Sequence, residues 1–258
     1  MAGKVKVGTS GWSYAHWLNG AFYPAGVRGG QCLPWYAQHF PTVEINATYY
    51  RLPKPSFAQR WKQLTPPEFL FAVKMWQMVT HRRRLAGVED NLDGFFAACG
   101  PLGGKFGPLL VQLPPSFRKD LPRLRDFAAT CRAAWGRHFP RRRLLAAVEF
   151  RHRSWNDQPT RQLLAELGWS LVLADMGDFA IDEPLQAGFI YIRRHGPAGG
   201  DTSYGDAQLR ALARRIAAWA DAGRDVYVYF NNDVHAHAPR NAARLMEFIA
   251  DAPPPGRT

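Results

Sequence analysis

The chain of 258 residues is long enough for one large domain, and with 47% hydrophobic and 21% charged residues it belongs among globular proteins that bury a sizeable core. Its 33 basic residues against 21 acidic ones give a formal net charge of +12, which favours anionic substrates or polyanions as partners and says nothing about fold. Composition excludes a collagen, a disulfide scaffold, a disordered tail and a membrane span.

Short β-branched or aromatic runs alternate with segments of helical periodicity, the pattern of βα units. In chain order the strand runs are residues 4–8, 42–46, 70–74, 109–113, 144–150, 170–175, 188–193 and 225–231. Helices are expected over 33–40, 56–63, 91–99, 121–135, 159–167, 206–222 and 240–249, with Ser56 as an N-cap, Pro159 in a first turn and Gly168 after a last one. Eight strand runs suffice to close a barrel. The expected fold class is therefore α/β, a TIM-type (β/α)8 barrel forming a single domain over 1–258. An open doubly wound sheet is the alternative, but no GxGxxG turn or P-loop supports it. Only twelve residues, Met176 to Ala187, link the sixth and seventh runs. With Gly177 and Pro184 among them, this irregular connection is expected to be a loop that leaves a gap in the outer helices. The Pro-rich stretch 253–258 is expected to fray. Cys32, Cys99 and Cys131 lie far apart without CxxC spacing, and no secretory pattern opens the chain. A cytoplasmic protein with no membrane partner is expected.

In a strand, residues two apart share a face, and the last inward positions of barrel strands meet ligands. Read on one parity, the runs end in Ser10, Glu44 with Asn46, Lys74, Gln112, Glu149 with Arg151, Asp175, Arg193 with His195, and Tyr229 with Asn231. Charges set inside apolar runs, as in Val-Glu-Ile-Asn or Ala-Val-Glu-Phe-Arg, must find a partner or a ligand. Glu149, His195, Asp175 and Glu44 are the acid–base candidates. Arg151, Arg193 and Lys74 are suited to hold a phosphate or carboxylate, and Ser10, Asn46, Gln112, Tyr229 and Asn231 to orient it. On this expectation Arg193 serves the ligand, so Arg193→Met leaves stability unchanged or raises it while abolishing ligand-induced thermal shifts. The cations compete with any metal ion for the carboxylates, so no resident metal or cofactor is expected. A divalent metal on the carboxylates is the alternative.

The chain resembles the YecE-like family, a domain of unknown function numbered seventy-two. The likeness rests on Gly8-Thr-Ser-Gly-Trp-Ser-Tyr14, Phe22-Tyr-Pro24, Thr42-Val-Glu-Ile-Asn46 with Thr48, Tyr49 and Tyr50, Phe71-Ala-Val-Lys74, Thr80-His81, and Gly107-Pro108 leading to Gln112-Leu-Pro-Pro115. It continues through Val148-Glu-Phe-Arg-His152, Trp155, Tyr191 to Gly196, and Tyr229-Phe-Asn-Asn-Asp233 with Asn241, and so covers about 4–249. The resemblance implies a TIM-like barrel, loosely grouped with sugar isomerases, and a site rather than a reaction.

Other signals have competing explanations. The Gly8-Thr-Ser-Gly11 turn either presents backbone N–H groups to an anion or simply opens a long loop. Trp12, Tyr14, Trp17, Tyr49, Tyr50, Trp76 and Trp155 either wall a pocket or pack loops. His235 and His237 share a face only in an extended segment. Arg82, Arg83 and Arg84 follow the third strand, and Arg141, Arg142 and Arg143 precede the fifth; each is either a nucleic-acid footprint or a solvated face. The leading expectation is a barrel enzyme that acts on a small or terminal anionic, polar substrate, a phosphorylated sugar or phosphodiester, by metal-independent acid–base chemistry. The rivals are a divalent-metal-dependent isomerase-like or nuclease-like enzyme, and a nucleic-acid-binding module.

Overall fold

The computed structural model describes residues 1–176, 180–186, 188–197 and 202–251. Every expected apolar run carries a strand: β1 (Val5–Thr9), β2 (Thr42–Ile45), β3 (Leu70–Lys74), β4 (Phe106–Gln112), β5 (Ala146–Glu149), β6 (Ser170–Ala174), β7 (Ile190–Arg194) and β8 (Val226–Phe230). They form one sheet in the order β1-β8-β7-β6-β5-β4-β3-β2. A parallel bridge from Ser10 to Glu44 joins the two ends of that order, giving the TIM-type (β/α)8 barrel expected from the eight runs. Parallel strands covered on both faces read as continuous apolar runs, which is why the sequence marks them so clearly.

The chain packs as two compact units, Met1–Glu44 with Leu173–Glu183 and Phe189–Thr258, and Ile45–Val172 with Pro184–Gly188. In the first unit β8 pairs in parallel with β1 and with β7, so that Tyr229 stands beside both Gly8 and Arg193. A Cβ on Gly8 would lie 2.1 Å from the Thr42 carbonyl oxygen, so only glycine permits this approach. The long connection after β1 is filled by aromatics. Trp17, Tyr23 and Tyr36 are fully buried, Tyr36 lying on a short helix α1 (Cys32–Tyr36). That helix is shorter than the expected 33–40.

In the second unit β4 lies between β3 and β5, and the register sets Gln112 beside Glu149 at the strand ends. A one-turn helix α2 (Ala47–Tyr50) and α3 (Pro55–Gln63) follow β2. Pro55 opens α3 and Lys54 precedes it, so Ser56 lies inside the first turn and is not the N-cap; the rigid proline sets the start instead. A π-helical turn, Met78–Arg82, follows β3. Helices α4 (Glu89–Cys99) and α5 (Leu121–His138) bury Phe96 and Trp135 against Phe106 of β4, with ring centroids 5.5 and 5.0 Å from Trp135. Asp120 caps α5 through the Arg123 amide, and Asp157 caps α6 (Gln158–Leu167) through the Thr160 amide. Pro159 lies in the first turn of α6, and Gly168 ends it at φ 66°, as expected.

Two helices complete the first unit, α7 (Asp206–Asp221) and α8 (His237–Ala250). Residues 180–186 of the connection after β6 carry neither helix nor strand. Gly177, Asp178, Phe179 and Ala187 of that connection, and the tail expected to fray, lie outside the described residues. Among the described residues no helix is long and apolar enough to cross a membrane.

Candidate functional site

The twelve residues picked out by strand parity divide between the units. The first unit holds Ser10, Glu44, Asp175, Arg193, His195, Tyr229 and Asn231, and the second holds Asn46, Lys74, Gln112, Glu149 and Arg151.

In the first unit Glu44 and Arg193 are 0% and 1% exposed and face each other directly. The Glu44 carboxylate accepts from Ser10 Oγ at 2.7 Å, Tyr191 OH at 2.6 Å, and Arg193 Nε and Nη2 at 3.1 and 2.9 Å. Four donors fix this wholly buried carboxylate in place, the arrangement of a structural ion pair. The bidentate edge of the Arg193 guanidinium faces Glu44, so the candidate acid–base group and the candidate ligand clasp are paired with each other. Tyr229 is equally enclosed, its hydroxyl 2.8 Å from Thr42 Oγ1, and burial holds the Tyr191 and Tyr229 phenols protonated.

Asp175 lies just past the end of β6, where strand alternation no longer dictates direction. Its carboxylate accepts from Arg194 Nη1 at 3.3 Å, from the His195 amide at 2.8 Å and from the Tyr204 hydroxyl. Asp175 thus pairs with Arg194, which points to the opposite face of β7 from Arg193. Beside this pair lies a cavity of about 620 Å³ walled by Phe230 and by Leu209 and Leu212 of α7. His195 meets Asn231 through Nδ1 at 3.1 Å.

The second unit gathers a different set. Glu149, 1% exposed, forms an ion pair with Arg151 two residues later in the chain. Lys74, the last residue of β3, places Nζ 4.3 Å above the Tyr49 ring. The same ring meets His81 edge-on at 5.1 Å, and His81 Nδ1 lies 2.8 Å from Thr80 Oγ1. Burial, then the charges of Lys74 and Arg151, push the His81 imidazole down to about 4, so it is neutral at physiological pH. If the Thr80 proton goes to the Trp76 carbonyl at 3.4 Å, Nδ1 of His81 must donate to Thr80 and Nε2 carries the lone pair. Just past the end of β2, Asn46 Oδ1 is buried with no hydrogen-bond partner among the described residues.

Sequence parity missed His81, because a π-helical turn presents it and not a strand. Such turns recur at functional sites. Its only signal was the Thr80-His81 pair just beyond the third strand. Tyr191, Arg194 and Tyr204 were also missed.

Several other signals resolve toward packing. The amides of Thr9, Ser10 and Gly11 donate to Tyr36 OH, the Phe230 carbonyl and the Glu44 carbonyl, so these three amides are already engaged within the fold. Trp17 and Trp155 are buried, their indole N–H groups bonded to the carbonyls of Asp233 and Phe117. His235 has φ 54° and ψ 21°, which is not extended, and its ring meets that of His237 edge-on at 5.7 Å. Arg142 donates to the Gly103 and Phe106 carbonyls. Among the described residues no three His, Cys, Asp or Glu side chains come together as a metal-ligand set.

A family model described as "Protein of unknown function DUF72" matches residues 6–256. The UPF0759 protein YunF of Bacillus subtilis (strain 168) is 25% identical over 280 residues, covering 95% of this chain and 94% of YunF. The crystal structure of a DUF72 family protein from Thermotoga maritima MSB8 is similar at 28% identity and a TM-score of 0.77, covering 96% of this chain and 99% of that one. D-psicose 3-epimerase, at 9% identity and a TM-score of 0.54 over 94% of this chain and 97% of its own, shares the fold alone.

Proposed function

The chain belongs to the DUF72 family, and on that premise we propose that it is an enzyme acting on a small or terminal anionic, polar substrate at the Lys74, His81, Glu149 and Arg151 cluster. A phosphorylated sugar or a phosphodiester fits this chemistry. Lys74 and Arg151 hold the anion, Asn46 and Gln112 orient its polar groups, and Glu149 and His81 move protons. The observation that carries this reading is that His81 is held neutral first by burial and then by the charges of Lys74, at the end of β3, and Arg151, just past β5. An empty cluster of this kind attracts an anion. Once a phosphate or carboxylate neutralises the two cations, their effect on His81 is lifted and the imidazole becomes a stronger base, so the substrate itself arms the site.

The reading is metal-independent because each carboxylate the sequence offered for an ion already faces an arginine: Glu44 with Arg193, Glu149 with Arg151, Asp175 with Arg194. The test is an NMR titration of the His81 ring, assigned by its loss in His81→Gln, with and without inorganic phosphate. Phosphate is expected to raise the His81 pKa by at least about one unit, and Lys74→Met to raise it without phosphate. A titration that phosphate does not move, or that moves only when a divalent ion is added, would defeat the reading.

A further inference from the structure

The loops that surround this cluster carry a feature the proposed chemistry does not use. Residues 46–54 and 75–88, which follow β2 and β3, contain no Asp or Glu, and the loops after β4 and β5 contain only Asp120 and Asp157. Those two carboxylates cap helices and are paired with Arg123 and Lys119. On the same four loops Arg51, Lys54, Arg82, Arg83, Arg118 and Arg153 are exposed, and among the described residues none of them has an ion-pair partner.

These loops form one continuous surface because hydrogen bonds join each to the next. Gln77 Nε2 donates to the Tyr50 carbonyl at 3.3 Å, linking the loops after β2 and β3. Arg84 Nη2 donates to Ser116 Oγ at 3.2 Å, linking those after β3 and β4. The Lys119 amide donates to Ser154 Oγ at 2.8 Å, linking those after β4 and β5. On this surface Tyr50 is 69% exposed. Tyr49 backs it edge-on at 4.9 Å, and the Tyr49 ring in turn carries Lys74 and meets His81. An aromatic step therefore leads from the basic rim to the anion cluster.

We infer that the rim is a docking surface for single-stranded nucleic acid, with Tyr50 stacking on a base and the arginines on the backbone, so that a terminal phosphate of the strand reaches Lys74 and Arg151. This names the substrate class of the proposed site and rests on that reading of it. Unpaired cations supply sequence-independent attraction to a phosphate backbone, and an exposed ring beside them distinguishes a base-bearing strand from an acidic peptide.

The experiment measures fluorescence anisotropy of a labelled, 5′-phosphorylated oligothymidylate across salt concentrations, with polyglutamate as competitor. Replacing Arg82, Arg83 and Arg118 by Ser is expected to reduce the magnitude of the slope of log affinity against log salt by about 2, at about 0.7 per lost contact. Tyr50→Ala is expected to weaken binding about tenfold with the slope unchanged. The control pair Arg141→Ser and Arg143→Ser removes charge before β5, at the other end of the strands, and should change neither. In the same samples the oligonucleotide should raise the His81 pKa as inorganic phosphate does, and the rim variant should lose the oligonucleotide effect while keeping that of phosphate. Equal loss in the control pair, or equal displacement by polyglutamate, overturns the inference and leaves the site reading standing. No response of His81 to inorganic phosphate overturns the site reading, and this inference with it.

Discussion

Replacing Arg193 with methionine tests the account of the first unit most directly. Methionine retains much of the buried stem but removes two of the four donors that Glu44 accepts from, leaving a carboxylate with 0% exposure held by Ser10 and Tyr191 alone. Breaking one partner out of a buried pair costs about 3–5 kcal/mol, chiefly because the other charge stays buried without compensation. At about 2–4 °C per kcal/mol for a chain of this size, the apparent melting temperature should fall by about 6–20 °C. The double variant Glu44→Gln with Arg193→Met removes the stranded charge, so it should be at least about 1 kcal/mol more stable than the sum of the two single changes implies. Urea denaturation of the parent, both single variants and the double variant closes the cycle. An Arg193→Met protein within about 1 kcal/mol of the parent, or strictly additive changes, would refute a structural pair and return Arg193 to the ligand.

The acid limb of stability should carry the signature of His81. Its folded-state pKa, about 4 against an ordinary 6.5, means that between these values the unfolded chain binds a proton the native imidazole refuses. Stability therefore falls as pH falls through that window, by about 1–2 kcal/mol once solvent screening at this half-buried position is allowed for. His81→Gln should flatten the fall in urea titrations at the two ends of the window; an unchanged difference between them would contradict the assignment. Gly8→Ala should fail to accumulate as folded protein by circular dichroism, since its Cβ meets backbone and not a movable side chain, and a native spectrum would show that β1 and β2 lie farther apart. Burial pushes the Cys99 and Cys131 thiols up to about 12, so a thiol reagent at mildly alkaline pH should label them only as the protein unfolds. Rapid labelling of the native protein would be inconsistent with that burial.

Much of the architecture was legible in the amino-acid order. Strands covered on both faces need unbroken apolar runs, and helices between them need a 3.6-residue period, so the eight runs announced a barrel without any knowledge of contacts. Local rules also located the caps of α6, where Pro159 and Gly168 act through their own backbone geometry. Ser56 failed as a cap because Pro55 competes for the same turn and fixes the start of α3 one residue earlier.

Parity along each strand also found the polar residues at the strand ends, among them Glu44, Lys74, Glu149 and Arg193, because a two-residue repeat is local. It could not say which charge answers which. Glu44 meets Arg193 across 149 residues of sequence, while Asp175, one residue past its strand, turns to Arg194 on the opposite face. The neutral state of His81 depends first on burial and then on Lys74 and Arg151, which β3 and the segment after β5 supply, and on a π-helical turn that no periodicity marks. Side-chain type and spacing decide which groups reach the end of a strand. Whether such a group is spent within the fold or presented to a ligand is decided by the register between distant strands, because burial and the nearest opposite charge exist only once those strands are side by side.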